Sequence, residues 1–250
     1  MSQPHPTLTQ QAAAVLANYR KNQQQAPLLT DDLRPGTSLD AVLIQQELLQ
    51  QLKQPVWGWK AGLPSEKGWV MAPIGRLQKG PKCSFEWPAS DYSIEPEFAF
   101  VLGQDLPARD EPYSEQEIDA AIGKVQLALE LIIRPYASDA GAEFLDNLAA
   151  GLFNQGLYLG PEVTASPAEV VLTLRVEGQA PQQFVGKHPN ADAKAPLYWL
   201  VNQLSQLGIG LFQGQAVITG SYAGVWSVPA ATPVQIDYQQ LGSMQLTALP

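Results

Sequence analysis

Residues 94–103 read IEPEFAFVLG and residues 127–132 read LALELI, and these two stretches decide the class of fold. Both are short apolar stretches, and residues 94–103 also carry two phenylalanines and end in a glycine, which favours strands over helices. Upstream, residues 8–25 and the segment from Ser38 to Leu52 carry apolar side chains at helical spacing, and Ser38 is the expected N-cap. Two helices followed mostly by strands predict an α+β protein.

Further elements follow from the same patterns. A strand is expected from Val56 onward, and the stretch between Leu63 and Ile94 reads as a loop rich in Gly, Pro and Lys. Later segments predict a capped helix opening at Ser114, a hairpin (TLRVEG and QQFVG), a helix at 196–207, the strand AVIT and two closing strands (VQIDYQQL and SMQLTAL). We divide the chain into an N-terminal helical segment, residues 1–55, packed on a β-rich main domain, residues 56–250.

Composition narrows the class of function. The chain of 250 residues carries a net charge of −9 and has no cluster of lysine and arginine, which argues against nucleic acid and anionic membrane surfaces as partners. It has no apolar run long enough to span a bilayer, and its first residues do not resemble a signal peptide. Cys83, the single cysteine, cannot form an internal disulfide. We expect a globular protein of the cytoplasm.

Glu95 and Glu97 are the first candidates for chemistry. They are separated by one residue on a predicted strand, so both carboxylates should point to the same face. Among apolar neighbours, two carboxylates would be poorly solvated and would repel each other, and a hard cation would relieve both problems. The competing interpretation is a pair of glutamates on the water-facing side of an antiparallel sheet.

Glu130 lies inside the apolar strand LALELII, where an ionised carboxylate needs a partner. A metal ion is one candidate, and an ion pair with Arg134 is the other. The spacing of these residues does not decide between the two.

Three more features are weaker candidates. Lys60 lies on a predicted strand and could act as an acid or base, or its ammonium could extend past Trp57 and Trp59 to water. Gly62 would let a ligand approach the backbone. The turn at Gly220 and Ser221 could hold a carboxylate with an N–H group and a hydroxyl, or could be an ordinary β-turn. His5 and His188 have no second histidine or cysteine at ligand spacing, and no nucleotide-binding or serine-hydrolase motif occurs.

Five stretches, taken in order, resemble a known family. They are GWKAGL at 58–63, IEPEFAFVLG at 94–103, LALELI at 127–132, DNLAAGLFNQG at 146–156 and HPNADAKAPLYWLVNQLSQLGIGLFQGQAVITGS at 188–221. Together they resemble the 2-keto-4-pentenoate hydratase and 4-oxalocrotonate decarboxylase branch of the fumarylacetoacetate hydrolase superfamily. The resemblance covers nearly the whole chain.

This resemblance implies a β-rich fold that encloses the site, with Mg²⁺ or Mn²⁺ held by Glu95, Glu97 and Glu130 and with Lys60 as the catalytic lysine. We expect Gly62, Leu63, Gly220 and Ser221 to contact a small 2-oxo acid substrate. The implied reaction is metal-dependent hydration or decarboxylation through an enolate. A homo-oligomer is implied as well, and a complex with a partner enzyme is a further possibility that the family raises.

The chain departs from the family pattern in two places. Ile133-Arg134-Pro135 stands where the family usually has Asp-Ser-Arg shortly after the third glutamate, and Leu148-Ala149-Ala150 stands where the family has paired serines after Asp-Asn. These changes keep two alternatives open. One is hydrolysis of a carbon-carbon bond in an acylpyruvate, and the other is a catalytically weak, metal-binding partner subunit.

Overall fold

The computed structural model describes residues 6–80, 82–86 and 91–249, with the backbone alone for Glu86 and Asp91. His5 lies outside the described residues. The helices in this part of the chain are α1 (Leu8–Lys21), α2 (Ser38–Gln51), α3 (Glu115–Ala121), α4 (Phe144–Ala149) and α5 (Ala195–Gln206). The strands are β1 (Gly58–Ser65), β2 (Gly68–Ile74), β3 (Leu77–Lys79), β4 (Lys82–Glu86), β5 (Asp91–Leu102), β6 (Ile122–Ile132), β7 (Asn154–Val163), β8 (Glu169–Val176), β9 (Gln182–Lys187), β10 (Ala216–Ile218), β11 (Trp226–Pro229), β12 (Val234–Tyr238) and β13 (Ser243–Leu249).

The strands form two sheets. The larger sheet has the order β2-β1-β10-β5-β6-β7-β3, and β11 also pairs with β5. The smaller sheet has the order β4-β13-β12-β8-β9. Most pairs are antiparallel, whereas β1 with β10, β3 with β7 and β4 with β13 are parallel. The predicted α+β class is confirmed.

The main core lies between the two sheets. One face of β5 and β6 contributes Ile94, Phe98, Leu127 and Leu129, which pack against residues of β8, β12 and β13. The opposite face carries smaller residues, such as Ala99, Ala128 and Ala216, in a second cluster formed by the larger sheet alone. Because this cluster contains no residue of a helix or of the other sheet, the larger sheet curls around it. The candidate metal centre lies on this second face.

Helices close the remaining surfaces. α1, α2 and α4 pack together in a third core cluster, which includes Tyr136 from the main domain. α3 and α5 cover β1 and β10 in a fourth cluster. The N-terminal helices therefore share a core with α4, and the boundary between residues 55 and 56 stays a prediction. No helix in the described ranges is long and apolar enough to span a membrane.

Local boundaries differ from the predictions in three places. α1 ends at Lys21 instead of continuing to residue 25, because Gln23 adopts a left-handed conformation with φ of 52°. Thr37, not Ser38, is the N-cap of α2, and its hydroxyl accepts the Asp40 N–H at 3.1 Å. The Ser38 hydroxyl instead accepts the N–H of Trp69. The expected loop between Leu63 and Ile94 is wrong, since the chain there forms β2, β3 and β4.

Candidate metal centre

Strand register brings the three predicted glutamates together. β5 and β6 pair antiparallel with Glu95 directly opposite Glu130. Because residues at i and i+2 share a face of a strand, Glu97 points to the same side. One carboxylate oxygen from each glutamate lies within 4.8 Å of the other two. Glu97 is 2% exposed and Glu95 is only partly exposed, so these two glutamates do not form the water-facing side of a sheet, and Glu130 is 0% exposed.

Lys60 approaches the same point from a neighbouring strand. It pairs with Ile218 of β10, which in turn pairs with Ala99 of β5. Its Nζ lies 2.9 Å from Glu130 Oε1 and donates a hydrogen bond of 3.1 Å to the carbonyl oxygen of Leu152. The ammonium therefore points into the molecule and does not extend past the tryptophans to water.

The ion-pair partner of Glu130 is therefore Lys60. Arg134 is exposed, and it forms no ion pair with any group in the described part of the chain. The alternative pairing of Glu130 with Arg134 is wrong, because Arg134 lies beyond the end of β6 and is exposed, whereas Glu130 is 0% exposed. The acidic partner of Lys60 is therefore the third glutamate, Glu130.

The carbonyl that holds Lys60 belongs to a strained turn. Leu152 and Phe153 have φ of 48° and 68°, a left-handed conformation that costs residues with a Cβ about 1–2 kcal/mol each. The turn connects α4 to β7 and is closed by the Leu152 N–H donating to the Asn147 carbonyl at 2.8 Å. Its conformation directs the Leu152 carbonyl oxygen toward Lys60.

Two hydrogen bonds orient the carboxylates. The side-chain amide of Asn154 donates to Glu130 Oε1 at 2.7 Å, and the Gly220 N–H donates to Glu97 Oε2 at 2.8 Å. Asn154 is 1% exposed and was not among the predicted site residues. A polar residue at the start of an apolar strand, in GLFNQGLYLG, is the sequence signal that points to it.

Burial and mutual repulsion change the acid-base properties of this cluster. Burial, followed by the negative charge of Glu130, raises the pKa of Glu95 to about 7. The same two causes, with Glu95 as a further charge, raise the pKa of Glu97 well above its usual range. For Lys60, burial acts to lower the pKa, but the negative charges of Glu130 and Glu95 outweigh it and raise the pKa overall. The cluster therefore favours bound positive charge.

The residues present fit a divalent cation. Three carboxylates face a single ammonium, so the cluster has excess negative charge in a buried position. Glu130 Oε2 is buried and has no hydrogen-bond partner among the described residues. An orphaned carboxylate oxygen is costly unless a cation or water meets it. All the donors are hard oxygens, which suit Mg²⁺ and Mn²⁺ better than softer metals.

Of the predicted substrate residues, Gly220 contacts the glutamates, because its N–H group donates to Glu97. Gly220 has a φ of 141°, and a Cβ at this position would come 2.7 Å from Pro189 Cγ. Gly62 lies on β1 two residues from Lys60, and a Cβ there would come 2.8 Å from Val70 Cγ1. Packing against β2 thus requires glycine at this position. Leu63 is 42% exposed.

Ser221 is committed to its own turn. Its hydroxyl donates to the Gly224 carbonyl at 2.8 Å and lies 3.4 Å from the carbonyl oxygen of Pro96, between the two glutamates of β5. No hydrogen bond joins Ser221 or Leu63 to the three carboxylates within the described residues. Their roles toward a substrate stay predictions.

His188 supports the same turn, a role that no local sequence pattern indicates. The ring is 4% exposed, Nδ1 accepts the Asn190 N–H at 3.1 Å, and Nε2 lies 3.3 Å from Thr219 Oγ1. Burial lowers the pKa of His188, which favours the neutral ring. Thr219 precedes Gly220, so the imidazole lies directly behind the N–H group that contacts Glu97.

Comparisons with known proteins agree with this architecture. The fold is similar to that of 4-oxalocrotonate decarboxylase from Pseudomonas putida G7 complexed with magnesium and adipate, with a TM-score of 0.76 and 18% identity over 99% of this chain and 100% of that chain. The same enzyme complexed with calcium and acetate gives a TM-score of 0.73, at 18% identity and the same coverage. A 2-hydroxyhepta-2,4-diene-1,7-dioate isomerase from Mycobacterium marinum gives 0.52, at 18% identity over 78% of this chain and 76% of that chain.

Sequence comparison identifies the family. A search of curated protein sequences finds no match to the chain. The family described as fumarylacetoacetate (FAA) hydrolase C-terminal matches residues 70–247, which is well over half of the chain. The predicted family is thereby confirmed, and the chain belongs to the fumarylacetoacetate hydrolase family.

Proposed function

We propose that this protein is a divalent-metal-dependent lyase that acts on a short unsaturated 2-oxo acid, by hydration or decarboxylation through an enolate. The observation that carries the proposal is the convergence of Glu95, Glu97 and Glu130 on one buried point, with Lys60 Nζ 2.9 Å from Glu130 Oε1. A cluster of perturbed carboxylates and one lysine is typical of an active site.

Glu95, Glu97 and Glu130 would hold Mg²⁺ or Mn²⁺ through their carboxylate oxygens. When bound, such an ion supplies positive charge that favours the enolate form of a 2-oxo acid. An anionic substrate would otherwise meet three carboxylates and be repelled. The Asn154 amide and the Gly220 N–H group keep Glu130 and Glu97 in fixed orientations, which limits reorganisation when ligands bind.

Lys60 would move the proton. Its raised pKa keeps the side chain an ammonium at neutral pH, so Nζ carries a proton that it can donate to a substrate carbon or oxygen. The Leu152 carbonyl and Glu130 restrain Nζ from two sides. Such restraint holds a general acid in one position, as proton transfer requires.

The substrate class follows from chemistry and from the solved structures. A carboxylate next to a keto group offers two oxygens to one cation, which suits a site with three carboxylate ligands and open positions. The similar structures are of a decarboxylase complexed with adipate and of an isomerase named for an unsaturated dioate. Their identity to this chain is 18%, so the choice between hydration and decarboxylation rests on product analysis.

The test is turnover of a panel of unsaturated 2-oxo acids, including 4-oxalocrotonate, with Mg²⁺ or Mn²⁺ added, followed by mass analysis of the products. Hydration adds the mass of water, decarboxylation removes that of CO₂, and acylpyruvate hydrolysis yields two acids. Lys60→Ala should abolish turnover while the fold and the bound metal remain, and Glu97→Gln should weaken metal binding. No turnover of any panel member by metal-loaded wild-type protein would refute the lyase and favour a partner subunit.

A further inference from the structure

A second cavity lies away from the three glutamates. It has a volume of about 490 Å³ and lies between α1, the edge strands β3 and β4, and β7. This volume falls in the range of small-molecule sites. Lys60 and the three glutamates are not among the residues that line it.

Two arginines line this cavity without any acidic partner. In the described part of the chain, no carboxylate lies within ion-pair distance of Arg20 or Arg76. Arg20 is half-buried, donates through Nη2 to the Asn154 carbonyl at 2.8 Å, and has a buried Nε with no hydrogen-bond partner there. Burial and the positive charge of Arg76 lower the pKa of Arg20 to about 10. Two neighbouring guanidinium groups that repel each other gain from a bound anion.

The other residues that line the cavity combine apolar side chains with the side-chain amides of glutamines. The apolar side chains include Tyr19, Leu48, Phe85, Leu131 and Ile133. Gln24, Gln78 and Gln155 add side chains that can donate or accept hydrogen bonds. A fully polar ion such as phosphate would leave the apolar part of this surface without a partner. A ligand with an apolar body and an anionic head would use both parts.

We propose that this cavity binds a small carboxylate with an apolar or aromatic body, whose carboxylate is held between Arg20 and Arg76. On a chain of net charge −9, these arginines supply the local positive charge that an anionic ligand needs. The site differs from the metal centre in lining residues and in the sign of its charge. The proposal therefore does not depend on the lyase reaction.

The cavity is nevertheless linked to the metal centre through one residue. Asn154 accepts from Arg20 through its backbone carbonyl and donates to Glu130 through its side chain. For this reason Arg20 is a poor first target for mutation, because its replacement would disturb the orientation of a metal ligand. Arg76 is exposed, and its side chain makes no hydrogen bond to the described residues, so Arg76→Gln should leave the fold intact.

Calorimetric titration with phenylacetate, in the presence of EDTA, tests the proposal. We expect saturable binding at least tenfold tighter than that of phenylacetamide, which has the same shape without the charge, and than that of inorganic phosphate. Arg76→Gln should weaken phenylacetate binding about tenfold, which is the loss of roughly 1.4 kcal/mol. Lys79→Gln, at an exposed residue of β3 outside the cavity, is the matched control and should bind like the wild type.

Several results would overturn the proposal. They are the absence of saturable binding, equal binding of the amide or of phosphate, and unchanged affinity in Arg76→Gln. A repeat titration with Mg²⁺ and oxalate present separates the two sites. If oxalate displaces phenylacetate, the ligand lies at the glutamates and the second site is refuted. Because the first titrations contain no free metal, their failure would leave the metal-dependent turnover of the proposed lyase unaffected.

Discussion

The side-chain amide of Asn154 donates a hydrogen bond of 2.7 Å to Glu130 Oε1, the same oxygen that lies 2.9 Å from Lys60 Nζ. One carboxylate oxygen is thus held by a neutral donor and a cation, while Oε2 has no partner among the described groups. This arrangement leaves Oε2 as the oxygen with free lone pairs for a metal ion.

Replacing Asn154 should loosen Glu130 and weaken metal binding. For Asn154→Ala we expect metal affinity to fall about 10- to 100-fold, the effect typical of losing a hydrogen bond to a metal ligand. Isothermal titration with Mn²⁺ measures this. Asn202→Ala is the control, since Asn202 also makes several hydrogen bonds, but to Tyr113 and Tyr198 far from the glutamates. Equal metal affinities in both variants would contradict a positioning role for Asn154.

Removing the charge of Lys60 should have opposite effects on binding and on rate. Lys60→Met takes away the one cation that contacts Glu130, so the metal ion meets less repulsion and its affinity should rise about tenfold or more. Turnover should fall at least 100-fold because the proton donor is lost. Titration and rate measurements on the same sample check both effects. Weaker metal binding in Lys60→Met would show that the lysine supports the site mainly by packing.

The metal-free protein should lose stability as the pH rises. The pKa of Glu95 is raised to about 7 in the folded state, from an ordinary value near 4.5, and that of Glu97 is raised further. The contribution of Glu95 to stability is therefore full below about pH 4.5 and is lost as the pH rises through about 7, and that of Glu97 is lost in the same direction. The slope is up to roughly 1.4 kcal/mol per pH unit for each proton released. Melting temperatures in EDTA between pH 5 and 8 measure this loss.

Saturating Mg²⁺ should suppress that decline, because the ion binds the ionised carboxylates of the folded state. Glu97→Gln should reduce the slope in EDTA, since one of the two titrating groups is gone. A matched variant is Glu115→Gln, at an exposed position in the first turn of α3, which should keep the wild-type slope. A melting temperature in EDTA that rises between pH 5 and 8 would contradict the raised pKa values.

Asp146 anchors α4 and should be important for stability. Its carboxylate is 2% exposed, and it accepts a hydrogen bond of 2.6 Å from Arg34 Nη2 and another of 2.8 Å from the Glu143 N–H. For Asp146→Ala we expect the free energy of unfolding to fall by about 2–4 kcal/mol, because a buried ion pair and a helix cap are lost together. Asp119→Ala, at the exposed pair with Lys194, should cost less than about 1 kcal/mol. Denaturant titration of both variants decides whether the pairs differ.

Much of the candidate metal centre could be predicted from local pattern. The spacing of Glu95 and Glu97 fixes their common face, and the apolar surroundings of Glu130 require a partner. What local pattern could not supply is the register of β5 against β6, which sets Glu95 opposite Glu130. Lys60 likewise reaches the glutamates only because β10 lies between β1 and β5. The resemblance to a family supplied what spacing could not.

The missed elements depend on partners that are distant in the sequence. Pro73, Gly75 and Pro81 interrupt the apolar pattern around β2 and β4 and favour a loop there, yet β4 pairs with β13 near the other end of the described chain. Asn154 forms its hydrogen bond with a residue 24 positions away in the sequence, so local pattern does not identify its partner. His188 looked isolated since its contact, Thr219, is 31 residues away. Tertiary contacts decide each of these cases.

The parallel pairing of β4 with β13 also bears on how the protein is made. Residues 82–86 are synthesised long before their partners, residues 245–249. During synthesis the edge of β4 that pairs with β13 stays unpaired until the chain has reached β13, and closing so long a loop is slow. Until β13 has been made, the nascent chain is therefore open to strand-mediated aggregation, and chaperones have their greatest opportunity to act in that interval.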